Sequence, residues 1–174
     1  ELWITFEYTP KVGMNQKFEA AIAEKTKLFN KADNSAFTAV LMTGAQAENG
    51  RYERIMPRRT NDWYNQSLSN EETKFWATNV AKYIQSGEGP YVWMRIKELS
   101  INFEEARPTK YFRSLTRVLK NGNNKDFWRY LERYIAVLKK ARPDVQQAVF
   151  MLSSGGNANT VRILTTFNNP NERQ

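Results

Sequence analysis

Residues 11–18 read Lys-Val-Gly-Met-Asn-Gln-Lys-Phe, and residues 120–127 read Lys-Asn-Gly-Asn-Asn-Lys-Asp-Phe. Both segments fit the pattern Lys-x-Gly-x-Asn-x-x-Phe, and each lies between a strand-like run and a helix-like run. The glycine allows a sharp backbone turn because it has no Cβ to clash. The asparagine is suited to cap a helix N-terminus. The pattern therefore predicts the same junction between a strand and a helix at two places in the chain.

The similarity extends beyond these two segments. With an offset of 109 residues, which aligns Lys11 with Lys120, nine of the 32 positions in residues 11–42 are identical to their counterparts in residues 120–151. Chance would give about two identities at ordinary residue usage. The apolar residues of the two helix-like runs also fall on one face in each copy. The sequence therefore predicts an internal duplication.

The order of elements in residues 1–100 predicts a complete first module. Alternation of apolar and polar residues predicts four strands, over 2–9, 37–43, 51–56 and 91–99. One helix is predicted over 16–31. A second helix begins at a capping box formed by Ser69 and Glu72, and Gly87 and Gly89 end it. This β-α-β-β-α-β order is that of a ferredoxin-like α+β module.

The second module is predicted to be incomplete. A linker over 101–109 precedes residues 110–174, in which one helix is predicted over 125–141. Three strands accompany it, over 111–119, 145–153 and 160–167. The second helix and the last strand of the ferredoxin-like order are missing from this segment, so another chain or further residues would have to supply them.

The composition excludes several kinds of site. Neither Cys nor His occurs among the 174 residues, which excludes disulfides, thiol catalysis, Cys/His zinc sites and His-ligated haem. No apolar run is long enough to span a bilayer, so no transmembrane segment is predicted. The absence of Cys is compatible with an oxidising compartment, and a first residue other than Met is compatible with a removed signal peptide. We therefore favour a periplasmic or secreted location over a cytoplasmic one.

The positive charge is concentrated in the second half. The net charge is +8, and residues 88–174 carry 15 Lys and Arg against 8 Asp and Glu. Such a field attracts acidic partners, although a solvated helix face that keeps the protein soluble is an equally good interpretation. Lys125, Arg129 and Arg133 on the predicted third helix are the candidate partner-binding residues. They predict docking on another protein chain, in a homodimer or a larger assembly.

The repeated pattern resembles the dimeric α+β barrel superfamily, in an internally duplicated form. The resemblance is carried by the two Lys-x-Gly junctions, the helix anchors Phe18 and Phe127, and Trp63 in the loop after the third strand. It implies two ferredoxin-like antiparallel sheets packed face to face as a barrel. The superfamily includes cofactor-free monooxygenases, haem-degrading enzymes and chlorite dismutase-like haem proteins. The haem branches typically need a His, which this sequence lacks, so we expect no cofactor.

Aromatic and charged residues on two strands are the candidate ligand-binding residues. Trp3 and Glu7 share one face of the first strand, Trp93 and Arg95 share one face of the fourth, and Trp63 lies in the loop named above. If these residues line a cavity, they could bind a small organic or anionic molecule, with Glu7 as a general base if its pKa is raised. The alternative is that Trp3 and Trp93 fill the core while Glu7 pairs with Arg95.

These observations leave three hypotheses about function. The main prediction is a non-catalytic binding or assembly subunit with a basic docking face in its second half. The alternative is a cofactor-independent monooxygenase-like enzyme, or a small-ligand-binding protein, with a pocket between the sheets. Binding of single-stranded nucleic acid is a third hypothesis. It is disfavoured because residues 50–56 lack the signature of RNA-recognition domains.

Overall fold

The computed structural model describes residues 1–31, 35–44, 50–104, 109–122, 124–169 and 171. The chain divides into two compact units, Glu1–Val92 and Trp93–Gln174, which are described separately below. Within the described residues, each unit combines α-helix with antiparallel strands. The predicted α+β fold class is therefore confirmed.

Unit 1 has the strand order of a ferredoxin-like sheet, β2-β3-β1-β4. Its elements are β1 (Leu2–Pro10), α1 (Asn15–Phe29), β2 (Phe37–Val40), β3 (Tyr52–Arg59), a 3₁₀ turn (Asn61–Asn65), α2 (Asn70–Phe75), a π turn (Trp76–Val80), a second 3₁₀ turn (Ala81–Tyr83) and β4 (Ile84–Ile101), which continues into unit 2. β3 is antiparallel to both β1 and β2.

The core of unit 1 lies between α1 and the sheet. Phe18, which the sequence predicts as a helix anchor, is fully buried, and its ring centroid lies 5.0 Å from that of Tyr52 on β3. Ala21 and Ile22 follow one turn later on the same face and are buried in the same cluster. Helical spacing thus places the apolar stripe of α1 on the sheet, as predicted.

A buried polar network fastens α1 to α2 and β3. Lys25 of α1 donates hydrogen bonds to Glu72 at 2.5 Å and to Asn30 at 2.8 Å. Arg54 of β3 donates to the same Asn30 oxygen at 2.7 Å. Ser69 caps α2 as predicted, since its hydroxyl accepts from the Glu72 backbone N–H. The Glu72 side chain, which we expected to complete the capping box, is bound by Lys25.

Two further predictions about local structure in unit 1 are wrong. Asn15 is the first residue of α1 and makes no capping bond; its side chain donates to the Tyr52 hydroxyl at 3.3 Å. Gly87 and Gly89 do not end a helix, because both lie inside β4.

The third strand is longer than predicted and reaches Arg59. The turn at Gly13 has the positive φ, 75°, that favours glycine.

Unit 2 contains one helix and three further strands in its described part, as predicted. The strand order is β4-β6-β7-β5, and β7 is antiparallel to both β5 and β6. The elements are β5 (Tyr111–Val118), α3 (Asn124–Ala141), β6 (Gln146–Ser154) and β7 (Thr160–Phe167). α3 buries Leu131 and Ile135 against Val149 of β6 and Val161 of β7.

Some predictions are not decided by these observations. The module boundaries, the duplication and the packing of two sheets as a barrel stay predictions. The Asn49-Gly50 pair predicts a turn between the second and third strands. Asn49 and residues 105–108 of the predicted linker lie outside the described residues. No helix in the described part of the chain is long and apolar enough to cross a membrane.

Candidate functional site

A cluster of charged side chains occupies the face of the unit 1 sheet that points away from α1. Tyr8 of β1 packs against Phe18 of α1, with ring centroids 6.1 Å apart. Because side chains alternate along a strand, Glu7 projects from the opposite face. The antiparallel register places Glu53 of β3 directly across from Glu7, so two carboxylates share this face.

Arg51 links this face to β4. Its Nη1 donates to Glu7 Oε2 at 2.7 Å, and its Nη2 donates to Glu88 Oε1 at 2.9 Å. The Tyr91 hydroxyl donates to the other Glu88 oxygen at 3.0 Å. Glu7, Arg51, Glu88 and Tyr91 thus form a continuous chain of hydrogen bonds, which we call the Glu7 cluster. All four residues belong to unit 1.

The surroundings of Glu7 favour its protonated form. Burial raises the pKa of Glu7 above its ordinary value of 4.5, and the negative charge of Glu53 raises it further, whereas Arg51 opposes both effects. The Glu7 side chain nevertheless keeps 21% of its surface exposed. Burial, followed by the hydrogen bond to Glu88, raises the pKa of Tyr91. The cluster therefore holds an accessible carboxylate with a raised pKa beside a guanidinium, and a phenol that stays protonated.

This combination suits proton transfer. A carboxylate with a raised pKa is a stronger base than an ordinary one once it is ionised. The Arg51 guanidinium can stabilise negative charge that develops beside it. No group of three or more Asp and Glu within the described ranges is placed to hold a metal ion.

The structure separates Trp63 from Glu7. Trp63, in the 3₁₀ turn after β3, packs against the cluster of Leu2, Ile4 and Val92. Ile4 lies on the α1 side of β1, so Trp63 packs on the face of the sheet opposite to Glu7. Trp3 is 8% exposed, and its indole N–H donates to Glu1 at 2.9 Å.

The other two candidate ligand-binding residues belong to unit 2. The Arg162 guanidinium lies 5.4 Å from the ring centroid of Trp93. Arg95 donates to the Phe103 carbonyl at 2.8 Å and to Glu104 at 2.9 Å. Glu7 pairs with Arg51 of its own unit, and the alternative in which it pairs with Arg95 stays a prediction. The five candidates divide between the units, and a pocket that they share stays a prediction.

The candidate partner-binding residues are all exposed on α3. Lys125, Arg129 and Arg133 lie on its solvent side. Arg129 forms an ion pair with Asp126 at 2.7 Å, and both side chains are about two-thirds exposed, at 65% and 67%. Their role in binding another chain is not decided by the structure.

Sequence reasoning missed Arg51 and Glu88 as members of the site. Arg51 is 44 positions from Glu7, and it reaches that carboxylate only because β1 pairs with β3 in one register. One signal was available, because side chains alternate between the two faces of a strand: Arg51 and Glu53 are two residues apart, so they share a face of the predicted third strand. That signal needs the register, which the sequence does not supply.

Solved structures with a similar fold include two bacterial proteins. The putative monooxygenase of Lactobacillus acidophilus NCFM has a TM-score of 0.65 and 9% identity, over 99% of this chain and 79% of that one. The putative monooxygenase FN1347 of Fusobacterium nucleatum has a TM-score of 0.63 and 10% identity, over 99% and 77%. A mutant chlorite dismutase from Candidatus Nitrospira defluvii has a TM-score of 0.49 and 12% identity, over 95% of this chain and 76% of that one. No protein-family model and no curated protein sequence matches the chain.

These neighbours correct the main functional prediction. The first two carry the name of an enzyme, which contradicts a non-catalytic assembly subunit with a basic docking face and supports the monooxygenase-like alternative. At 9% and 10% identity the similarity shows the fold alone. The chain therefore has an α+β fold similar to that of proteins named as monooxygenases.

Proposed function

We propose that the chain is a cofactor-independent monooxygenase-like enzyme that acts on a small organic molecule with an acidic C–H group. The observation that carries the proposal is Glu7, an accessible carboxylate whose pKa is raised and whose oxygen lies 2.7 Å from Arg51. The similarity in fold to two proteins named as monooxygenases supports the same class of reaction.

The proposed reaction begins with proton abstraction. Glu7 takes a proton from a CH2 group that is flanked by a carbonyl or an electron-poor ring, and Arg51 stabilises the anion formed. The carbanion then gives its electrons to O2. One oxygen atom stays on the carbon as a C=O group, and the other leaves as water with the two hydrogens of the CH2 group. The substrate supplies all of the electrons, so the equation balances without another reductant.

Tyr91 has a defined place in this scheme. Its hydroxyl holds Glu88, which in turn holds Arg51, so Tyr91 fixes the position of the guanidinium. Its raised pKa keeps the phenol protonated at neutral and mildly alkaline pH, so the hydrogen bond to Glu88 persists there. Tyr91 is a positioning residue under this proposal, and Glu7 and Arg51 contact the substrate.

Oxygen uptake tests the proposal. The wild-type protein is mixed with a panel of 1,3-diketones and anthrones in an oxygen electrode, and the product is analysed with ¹⁸O2. We expect Glu7→Gln to lower kcat by about 10²–10⁴-fold, the usual contribution of a general base. Glu98→Gln, which removes an exposed carboxylate elsewhere on β4, is the matched control and should leave the rate unchanged.

The pH dependence adds a second readout. Because Glu7 must be ionised to act as a base, kcat/KM should rise with pH through a pKa above 4.5 and lose that step in Glu7→Gln. Activity that survives in Glu7→Gln with an unchanged profile would overturn the assignment. Saturable binding of the panel without oxygen uptake would instead reject catalysis and leave the small-ligand-binding alternative.

We also propose that the chain arose by internal duplication of a ferredoxin-like module, with modules over 1–100 and 110–174. Support comes from the element starts, since β1 and β5, α1 and α3, and β2 and β6 are each separated by 109 residues (2 to 111, 15 to 124, 37 to 146). Gly13 and Gly122 both have positive φ, at 75° and 88°. Related sequences in which the paired positions vary without any correspondence would contradict this proposal.

A further inference from the structure

A groove of about 490 Å³ lies in unit 1 between α1 and β2, away from the Glu7 cluster. Its volume is within the range of small-molecule sites. None of the five candidate ligand-binding residues lines it. The proposed monooxygenase activity does not use this groove, so its occupant is a separate question.

One end of the groove is acidic. The Tyr52 hydroxyl donates to Glu19 Oε1 at 2.6 Å, and Asn15 donates to the same hydroxyl at 3.3 Å. Tyr52 is 4% exposed, so the phenol that holds Glu19 is fixed in the core. Glu19 itself is exposed, and no ion pair to it occurs among the described residues. An anionic group is therefore held in place and open to a cation.

The other end of the groove is basic. Lys27 lies eight residues after Glu19 on α1, which corresponds to about 12 Å along the helix axis. Like Glu19, it is exposed and makes no ion pair within the described segments. Arg54 donates hydrogen bonds to Thr26 of α1 and to Thr38 of β2. These bonds place Thr38 of β2 beside the end of α1 that carries Lys27. The groove thus has opposite charges at its two ends.

Apolar side chains line the space between the charges. Ile22 and Ala23 come from α1, and Val40 comes from β2. Val40 is 49% exposed. β2 also stands at the end of the strand order of unit 1. The outer edge of such a strand can form backbone hydrogen bonds with an added extended chain.

We propose that this groove binds a short apolar peptide with free termini. Its N-terminal ammonium pairs with Glu19, its C-terminal carboxylate pairs with Lys27, and its side chains lie on the apolar residues between them. An extended chain rises about 3.3 Å per residue, so the separation of about 12 Å between Glu19 and Lys27 along the helix axis corresponds to three or four residues. Charge complementarity, length and the adjacent strand edge all select this class of ligand.

The test combines blocked peptides with charge-removing variants of the whole chain. Isothermal titration calorimetry measures binding of the tetrapeptide alanine-leucine-valine-alanine with free termini, and of the same peptide acetylated or amidated. We expect Glu19→Gln to weaken binding of the free peptide by about two- to five-fold, the range of a partly exposed ion pair. The same variant should not change binding of the acetylated peptide. Lys27→Met should weaken binding of the free peptide to a similar extent and should not change binding of the amidated peptide.

Matched controls on the same helix keep the result interpretable. Glu24→Gln and Lys17→Met remove exposed charges of α1 outside the groove lining and should leave all affinities unchanged. No measurable binding of the free peptide, or equal effects of a variant on free and blocked peptides, would overturn the proposal. Loss of oxygenase activity in Glu7→Gln has no bearing on this outcome, so the two proposals fail independently.

Discussion

The buried pair of Lys25 and Glu72 provides the sharpest test of how unit 1 is held together. The two side chains are only 6% and 8% exposed, and Lys25 Nζ lies 2.5 Å from Glu72 Oε1. We propose to replace Glu72 with Gln, which keeps the size and most hydrogen-bonding capacity of the side chain but removes its charge. The ammonium of Lys25 is then left in the core beside Arg54, which carries the same charge.

The expected loss of stability follows from the state of Lys25 in the variant. Removing one partner of a buried ion pair typically costs about 3–5 kcal/mol. Lys25 can avoid burying its charge by losing its proton. At pH 7 this costs at most about 5 kcal/mol, because the ordinary pKa is 10.5 and each pH unit is worth about 1.4 kcal/mol. Both routes predict that Glu72→Gln lowers the free energy of unfolding by roughly 3–5 kcal/mol at pH 7.

The sign of the pH dependence separates this explanation from a simple packing loss. Burial already lowers the pKa of Lys25, while Glu72 raises it. Without Glu72, the pKa of Lys25 in the folded state falls further below its value in the unfolded chain. At any pH between these two pKa values, the unfolded chain binds more protons than the folded one. Stability of the variant should therefore increase as pH rises toward 10.5, and the deficit relative to wild type should shrink.

Urea denaturation at pH 7, 8 and 9 measures these free energies. Adding Lys25→Met to Glu72→Gln should restore most of the loss, because the buried ammonium that lost its partner is then removed as well. Asp126→Asn, in the exposed pair with Arg129, is the control and should cost less than about 0.5 kcal/mol. A cost below 1 kcal/mol for Glu72→Gln that does not change with pH would refute the reasoning.

Three further predictions concern single residues. Ser69→Ala should lower the free energy of unfolding by about 1 kcal/mol in urea, since Ser69 caps α2, whereas Ser67→Ala should have no effect. Leu131→Ala should lower the free energy of unfolding by about 2–5 kcal/mol, because Leu131 is 1% exposed in the core of unit 2. A loss as small as that of Leu28→Ala, at an exposed position, would contradict this burial. Burial raises the pKa of Tyr8 to about 12, so ultraviolet titration should show tyrosine ionisation near that pH, and Tyr8→Phe should reduce this late component by one tyrosine.

Local sequence patterns predict the junctions and helices of this chain well. Gly13 and Phe18 take the turn and anchor positions that the repeated pattern predicts. The strand over 160–167 has the bounds expected from its composition. Predictions of this kind succeed because backbone freedom, helical period and strand alternation are properties of neighbouring residues.

Predictions that depended on distant residues were less successful. Gly87 and Gly89 are compatible with a helix end, but pairing of β4 in the sheet places both inside a strand. Glu72 is suited to a capping box, yet a buried ammonium 47 positions away is its partner. The charge count of the second half suggested a docking subunit, but charge describes partners in general and gives no information on the reaction.

The sequence by itself determined the α+β class, the repeated strand–helix junction, the absence of Cys and His sites, and Glu7 as the carboxylate to examine. Only the tertiary structure decided that Arg51 and Glu53 flank Glu7 and that Trp63 lies on the opposite face. The physical reason is strand register: a shift of one residue moves every side chain to the other face. The partners of Glu7, and with them its raised pKa, depend on pairing between segments more than 40 residues apart.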